Sequence, residues 1–324
     1  MTGLSYVGRG LRRPESVLAT ASGDIYCSHN GHGVARIRPD GAQLLLAPAT
    51  QIGGLPIVPN GIALRPDGSF LVANISDAGG SLELDADGVR LFHPCTDGET
   101  SPPVNFVALD EMGRIWITVS STYSPRCLAY NKHTANGYVA MIEGGKFRVV
   151  LEGLAYTNEV RPDYEGGWLY IAETMAQRIS RVRLDEKGLH GAPEVFAQLP
   201  RGAFLDGMEI DSEGGVLAAC IISSELIRID PDGGQTVIMG ERMDAWVNQV
   251  EDAFDAGDMG RHHLDTSPTT GLRNIASLAY HGANLDQIVC GNLLDDKLPC
   301  TAATVPGRTP VHWHTEVPFW GDAF

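Results

Sequence analysis

The sequence predicts an all-β protein, a six-bladed β-propeller with four-stranded antiparallel blades and one insertion before the last blade. Two observations lead to this prediction. A short apolar stretch, a glycine-containing turn and a second strand-forming run recur along the chain, and the turn glycines are 45, 45, 54 and 47 residues apart. That period is typical of a propeller blade. Units of about 50 residues account for residues 1–324 as a single domain.

Each repeat has the composition of a β-hairpin. β-branched and aromatic runs flank a glycine that permits the positive φ of a tight turn. The copies are "SVLATASGDIYCS", "GIALRPDGSFLVAN", "FVALDEMGRIWITV", "EVRPDYEGGWLYIAE", "GMEIDSEGGVLAAC" and the weaker "SLAYHGANLDQIVCG". A second strand pair follows each hairpin, as in "LIRIDPDGGQTVIM", which completes four strands per blade.

Residues 242–272 form the predicted insertion between the fifth and sixth hairpins. Within it, "DAWVNQVEDAFDA" (244–256) predicts a helix, because Trp246, Val250 and Phe254 recur at i, i+4 and i+8. Two interpretations remain open. The insertion is either a variable surface loop with one amphipathic turn packed down, or a lid over a substrate site.

Charge and hydropathy exclude several classes of partner. With 24 Lys and Arg against 40 Asp and Glu, the net charge is −16, so we expect repulsion from nucleic acid and from anionic membranes. No apolar run approaches the roughly 18 residues of a membrane span. The N-terminus lacks the apolar segment of a secretory signal, so we expect a cytoplasmic protein. The sequence predicts no oligomeric state.

An oxygen-bearing side chain precedes the turn in five of the repeats. Eight residues before a glycine of the turn stand Glu15, Asn60, Asn105, Asn158 and Asp206. Because the first strand of every blade lines the central channel, equivalent positions converge on the axis. The sequence therefore predicts a ring of two carboxylates and three amides in the channel.

Such a ring predicts a divalent metal site. Oxygen ligands suit a hard cation, and Ca²⁺ fits better than Zn²⁺, which prefers nitrogen and sulfur; Zn²⁺, Mg²⁺, Mn²⁺ and Fe²⁺ remain alternatives. A simpler interpretation also exists. Asn–Gly at 60–61 and Asp–Gly at 206–207 are common turn formers, and any one of them alone has an ordinary structural explanation.

Four motifs occur in order at blade spacing: "RPESV", "TNEVRPDYEGGWLYIAET", "LDGMEIDSEGG" and "SLAYHGANLDQIVC". Through them the sequence resembles the family of senescence marker protein, gluconolactonase and luciferin-regenerating enzyme, and more distantly paraoxonase and diisopropyl-fluorophosphatase. The resemblance implies a metal held by Glu15, Asn158 and Asp206, with Asn105 binding the metal or its water and substrate. Asn60 matches no regular ligand of that family, so we assign it to the channel lining.

The sequence departs from this family in the third blade. Gluconolactonase-type sequences carry R-x-N-D-G there, with the arginine on sugar hydroxyls, whereas this chain has "PPVNFVALD". The family's acid after the outgoing strand likewise has no counterpart in "WITVSSTYSPR". We therefore expect a substrate less hydrophilic than a sugar lactone, because unpaired hydroxyls are costly in such a pocket. The candidate substrate contacts are Asn60, Asn105, Pro103, Phe106 and Tyr123.

The resemblance and the ring together imply a metal-dependent hydrolase that opens a small-molecule lactone or cleaves a related ester. In this hypothesis Asp206 is the general base that activates water, or else the direct nucleophile. Three alternatives remain open: phosphotriester cleavage at the same ion, a metal-free condensation like that of strictosidine synthase relatives, and a non-catalytic binding propeller.

Overall fold

The computed structural model describes residues 3–46, 51–52, 54–96, 98, 100–318 and 321–324. Six antiparallel sheets of four or five strands are arranged in a ring, and each sheet is one blade. This arrangement confirms the predicted six-bladed β-propeller.

The strands alternate with short connections along the whole chain. In chain order they are β1 Ser5–Val7, β2 Val17–Ala19, β3 Ile25–His29, β4 Gly33–Ile37, β5 Gln43–Leu45, β6 Gln51–Ile52, β7 Leu55–Pro56, β8 Pro59–Leu64, β9 Phe70–Asn74, β10 Ser81–Asp85, β11 Gly88–His93, β12 Phe106–Leu109, β13 Ile115–Val119, β14 Gly137–Glu143, β15 Lys146–Leu154, β16 Thr157–Asp163, β17 Trp168–Glu173, β18 Arg178–Asp185, β19 Gly188–Gln198, β20 Leu205–Ile210, β21 Val216–Cys220, β22 Glu225–Ile229, β23 Gln235–Gly240, β24 Ile275–His281, β25 Gln287–Asn292, β26 Leu298–Ala302 and β27 Asp322–Ala323. The helices are α1 Asp244–Ala256 and α2 Arg261–Leu264, with short 3₁₀ helices at Arg126–Ala129 and Thr174–Ala176.

The innermost strand of each blade is the first strand of its repeat, namely β2, β8, β12, β16, β20 and β24. The N-terminal strand β1 closes the ring, because it pairs with β26 as the outer strand of the sixth blade. At the other end of the chain, β27 pairs with β5 on the outer edge of the first blade. Both chain ends thus lie on the rim, and the channel is lined by the inner strands.

Turn glycines and buried strands explain why the repeats fold as blades. The five turn glycines all adopt positive φ, as the hairpin prediction requires: Gly23, Gly68, Gly113, Gly167 and Gly214. Every residue of β21, Val216–Cys220, is buried, because neighbouring blades cover both faces of each sheet. Strands buried on both faces are apolar throughout instead of alternating.

The insertion contains the predicted helix, α1, with the predicted bounds. Its buried face differs from the predicted stripe: Val247 is buried together with Val250 and Phe254, whereas Trp246 is only partly buried. α1 and α2 pack against Tyr156 and Phe204. These two residues immediately precede the inner strands β16 and β20, so the insertion lies over the end of the channel where the inner strands begin.

None of the helices in the described ranges is long and apolar enough to cross a membrane.

Candidate metal centre

Four of the six inner strands are irregular at the ring position. Their pairing skips two residues between Pro59 and Ile62, opposite one residue of the neighbouring strand, and the same skip recurs in three further blades. The residues inside these skips are Asn60, Asn158, Asp206 and Ala276 with their successors. A β-bulge of this kind turns a side chain out of the ladder. The bulges set Asn60, Asn158 and Asp206 apart from the regular strand, whereas Glu15 and Asn105 lie just before their inner strands.

Glycine follows the ring residue in two blades because the inner strands approach closely there. Gly61 and Gly207 lie inside β8 and β20, not at turns. A Cβ on Gly207 would lie 2.6 Å from the carbonyl oxygen of Ala276 and 2.7 Å from the Cα of Ser277 on the next blade. The interpretation of these Asn–Gly and Asp–Gly pairs as turn formers is therefore wrong. Their glycines permit contact between blades.

The ring residues are buried and linked by amide hydrogen bonds. Glu15, Asn60, Asn105, Asn158 and Asp206 are between 2% and 6% exposed. Asn60 Nδ2 donates to the backbone oxygen of Asn105 at 2.9 Å and to its Oδ1 at 3.2 Å. Asn158 also hydrogen-bonds Asp206. The sixth blade contributes Ala276 at this position, so the ring has a gap between Asp206 and Glu15.

Hydroxyl groups on neighbouring segments orient two of the amides. Asn105 Nδ2 donates to Ser120 Oγ at 2.9 Å, and Asn158 Nδ2 donates to Thr174 Oγ1 at 3.2 Å. With its NH₂ group engaged, Asn158 presents its carbonyl oxygen as the available ligand atom, whereas Asn105 Oδ1 also accepts the hydrogen bond from Asn60. Ser120 and Thr174 were not identified from the sequence. Each lies just after the second strand of its blade, outside the repeat position that marks the ring.

Arg13 also reaches the ring and was missed by sequence reasoning. Its Nη1 donates to Asn60 Oδ1 at 3.0 Å, and its Nη2 forms an ion pair with Glu15 Oε2. The side chain is 15% exposed, so the guanidinium is largely withdrawn from water. Burial lowers the pKa of Arg13, with Glu15 acting in the opposite direction. One internal positive charge thus faces the carboxylates.

Glu159 is a third acid beside the ring. It occupies the position that Gly61 and Gly207 hold in their blades, and this substitution within the repeat is the signal that sequence reasoning overlooked. Ser277 Oγ and the backbone N–H of Met208 donate to its carboxylate at 2.9 and 3.2 Å, and Arg161 pairs with it at 2.7 Å. Burial raises the pKa of Glu159 to about 7. This carboxylate ties the fourth, fifth and sixth blades together.

The electrostatics of the ring favour an additional cation. Burial, followed by the charges of Glu15 and Glu159, raises the pKa of Asp206 well above its ordinary value. Around the ring the three carboxylates of Glu15, Asp206 and Glu159 face the two guanidiniums of Arg13 and Arg161. A buried charge without a partner is costly, so a bound cation would stabilise these carboxylates.

The donor set fits a hard divalent cation. Two carboxylates and the oxygens of buried amides are ligands that Ca²⁺ accepts. Within the described ranges, no three or more His, Cys, Asp or Glu side chains are arranged to hold a metal ion. That result is consistent with the ring, in which carboxylates are outnumbered by amides.

The candidate substrate residues do not all face the ring. Phe106 lines a cavity of about 600 Å³ at the opposite end of the channel, where Arg161 lies 4.8 Å from the centre of its ring. Pro103 is partly exposed and the Tyr123 side chain is 46% exposed. Asn60 and Asn105 are the two that the structure places in the ring. A substrate contact by any of the five stays a prediction.

Comparison with known proteins identifies the family of this chain. A family model described as SMP-30/gluconolactonase/LRE-like region matches residues 55–242, more than half of the chain. The chain belongs to this family. Membership confirms the resemblance that the four sequence motifs carry.

Solved structures of this family share the fold. A regucalcin from Agrobacterium tumefaciens, described as a calcium-binding protein, is 18% identical with a TM-score of 0.65, covering 94% of this chain and 96% of that one. A gluconolactonase from Xanthomonas campestris is 17% identical with a TM-score of 0.67, covering 92% and 89%. An uncharacterized protein from Sulfolobus acidocaldarius is 27% identical over 151 residues, 46% of this chain and 52% of that protein. The chain therefore spans about half the length of this relative.

Proposed function

We propose that this SMP-30/gluconolactonase/LRE-like protein is a metal-dependent hydrolase that opens a lactone, or cleaves a related ester, in its central channel. The observation that carries the proposal is the convergence of the buried carboxylates of Glu15 and Asp206 with the amide of Asn158. Similarity to a gluconolactonase supports the proposed hydrolysis, and similarity to a protein described as calcium-binding supports the proposed metal.

Glu15, Asn158 and Asp206 would hold the ion, which we propose to be Ca²⁺, with Asn105 as a further ligand or as the holder of a water molecule. When bound, a divalent cation supplies positive charge that stabilises the oxyanion developing on the substrate carbonyl. Ala276, which has no polar side chain to contribute at this position, would leave that side of the ring to water and substrate.

Asp206 would act as the general base. Its carboxylate takes a proton from the attacking water as the water oxygen bonds to the carbonyl carbon, and the C–O bond of the lactone or ester then breaks. The same proton passes to the departing alkoxide, which gives a hydroxy acid or an alcohol and an acid. The hydrogen bond from Asn158 and the neighbouring Glu159 fix the environment of this carboxylate.

The insertion would act as a lid. α1 and α2 lie over the end of the channel that contains the ring, and their buried face packs on Tyr156 and Phe204. A lid at this position limits the access of bulk water and strengthens electrostatic interactions beneath it. Tyr123 and Pro103 would offer apolar surface to a substrate less hydrophilic than a sugar lactone.

The proposal is tested by assaying purified protein on γ- and δ-lactones, on aryl esters and on paraoxon, with and without a chelator. We expect turnover of a lactone or ester that chelation abolishes and Ca²⁺ restores. Turnover of paraoxon alone would favour the phosphotriesterase alternative. Turnover that is insensitive to chelation would contradict the proposed metal dependence. Binding of Ca²⁺ without turnover of any substrate would favour a non-catalytic propeller.

Glu15→Gln is expected to remove most of the stabilisation that Ca²⁺ confers. A ligand at 100 times its Kd stabilises the folded state by about 2.7 kcal/mol, and the variant loses a charged ligand of the ion. The measurement is the Ca²⁺-induced shift in thermal midpoint, with the exposed Glu186→Gln as the control of equal charge change. Equal shifts in Glu15→Gln and wild type would exclude Glu15 as a ligand.

A further inference from the structure

The cavity of about 600 Å³ lies at the end of the channel opposite to the ring. Residues from all six inner strands line it, and residues 307–312 of the C-terminal segment complete the wall. Its volume falls within the range of roughly 300–1,000 Å³ that small-molecule sites occupy. None of Glu15, Asn158 and Asp206 is among the lining residues, so the proposed metal centre makes no use of this space.

The C-terminal segment is held across this end of the channel by backbone hydrogen bonds. The N–H of Ser212, in the fifth blade, donates to the oxygen of Pro306 at 2.8 Å. The N–H of Ala21, in the first blade, donates to the oxygen of Trp313 at 2.7 Å. The segment is therefore fixed to two blades, and the cavity is formed before any ligand enters, which keeps the entropic cost of binding low.

Part of the cavity wall is apolar. Ile62, Leu109 and Ile210 line it from three different inner strands. Phe106 adds an aromatic ring, over which the guanidinium of Arg161 lies 4.8 Å from the ring centre. A wall that combines apolar side chains with a few charged groups suits a ligand that has an apolar body and one polar end.

Arg161, one of the two arginines on the wall, is shared between two acids. Its Nη2 pairs with Glu159 Oε2 at 2.7 Å, and its Nε donates to Glu209 Oε2 at 3.3 Å. Its Nη1 donates to the backbone oxygen of Val160. Glu209 also accepts the N–H of Ile210 at 3.0 Å, and its side chain is 27% exposed. One guanidinium thus serves two carboxylates, and Glu209 has the longer of the two ion pairs.

The other charges on the wall are also mostly negative. Arg308, the second arginine, pairs with Asp163 and, at 3.6 Å, with Glu165. Asp110 and Glu111 line the cavity and have no ion pair within the described ranges. Five acids and two arginines therefore line the cavity, and Glu159 behind Arg161 adds a sixth acid.

Neighbouring basic groups do not offset this excess of negative charge. Arg114 donates to the hydroxyl of Tyr164 on the wall at 2.9 Å, but it has its own acid, Glu143, at 2.7 Å. His312 adds no positive charge at neutral pH, because burial lowers its pKa to about 4. The electrostatic field of the cavity therefore favours a cation.

Two polar atoms of wall residues lack a hydrogen-bond partner among the residues that the structure describes. They are Oη of Tyr280, which is 2% exposed, and Nε2 of His312. The imidazole of His312 already hydrogen-bonds the backbone of Ala19, so Nε2 is the acceptor of a neutral ring. Buried polar atoms without partners are uncommon in native proteins, and an N–H donor on a ligand would provide one.

We propose that this cavity is a binding site for an organic amine, with the ammonium group on Glu209 and the apolar body against Phe106 and the inner strands. An ammonium group is a compact cation with three N–H donors, which matches a carboxylate that has only a shared arginine. A carboxylate or phosphate ligand would instead add to the excess of negative charge. The amine site is separate from the ring and does not depend on the proposed hydrolysis.

Calorimetry at pH 7 with 2-phenylethylamine and its neutral isostere 2-phenylethanol tests the site without requiring turnover. We expect the amine to bind about tenfold more tightly than the alcohol, the effect of one charge-assisted pair. Glu209→Gln should weaken amine binding about tenfold and leave binding of the alcohol unchanged. Because Arg161 keeps its ion pair with Glu159, this variant should keep the thermal midpoint of wild type. The exposed Glu152→Gln is the control of equal charge change and should bind the amine like wild type.

Equal affinity for the amine in wild type and Glu209→Gln overturns the amine site. Equal affinity of the wild type for amine and alcohol, or no binding of the amine, overturns it as well, and this comparison holds even if Glu209→Gln does not fold. Asp206→Asn distinguishes the cavity from the acidic ring: amine binding that is lost in Asp206→Asn but kept in Glu209→Gln would place the amine in the ring and overturn the proposal. Binding that depends on Glu209 in a protein that hydrolyses no lactone or ester supports the amine site and refutes only the proposed hydrolase.

Discussion

Asp206→Asn is expected to lower kcat/KM for lactone or ester hydrolysis by about 10³-fold, because a positioned general base contributes roughly 10²- to 10⁴-fold and a ligand of the ion is lost as well. The isosteric amide keeps the size of the side chain but removes the charge and the proton-accepting oxygen. The measurement is the initial rate on whichever lactone or ester the wild type hydrolyses, at saturating Ca²⁺.

The same variant should fold normally. Burial, followed by the charges of Glu15 and Glu159, raises the pKa of Asp206 in the metal-free protein, so the neutral amide avoids the cost of a buried charge and relieves repulsion between acids. We therefore expect the thermal midpoint without Ca²⁺ to stay constant or to rise, while the shift on adding Ca²⁺ is lost. The exposed Asp258→Asn in the insertion is the matched control and should retain full activity. Wild-type activity in Asp206→Asn would remove Asp206 from the mechanism.

Gly207→Ala is expected to destabilise the protein by about 3 kcal/mol, the upper end of the cost of overpacking a core. The added Cβ would lie 2.6 Å from the carbonyl oxygen of Ala276, a backbone atom that cannot move without separating β20 from β24. Because Asp206 is the preceding residue, that separation also displaces the proposed general base. Urea denaturation measures the loss of stability directly.

Gly144→Ala provides the control for that variant. Gly144 lies at positive φ in the turn between β14 and β15, with open space around it, so alanine there should cost only about 1 kcal/mol of backbone strain. If Gly207→Ala cost no more than Gly144→Ala, the close approach of the inner strands would not be what requires glycine at position 207.

The blades were predictable because their signals are local. A turn glycine such as Gly113 lies within a few residues of the strands it joins, and the repeat brings each copy to the same place in its blade. The bulges at Asn60, Asn158 and Asp206 were not predictable in this way. They lie where neighbouring blades approach closely, as Gly207 approaches Ser277, a residue that is distant in sequence.

The ring residues could be predicted from the repeat, whereas the residues that bond to them could not. Asn158 and Asp206 share a register, but Arg13 approaches the channel from a non-repeating segment whose course depends on tertiary packing. The shift of the buried helix face from Trp246 to Val247 has a similar origin. Apolar residues at i, i+4 and i+8 predict a helix, but the surface against which the helix packs determines which of its faces is buried.

The central claim is that Glu15, Asn158 and Asp206 hold a divalent cation in the channel. The most direct test is a crystal structure of the protein grown with Ca²⁺, with anomalous diffraction measured to locate the ion. We predict one anomalous peak in the channel, roughly 2.3 to 2.6 Å from oxygens of these three residues. A channel without such a peak, in which Arg13 remains paired with Glu15 and Asn158 bonds only to protein groups, would contradict the claim.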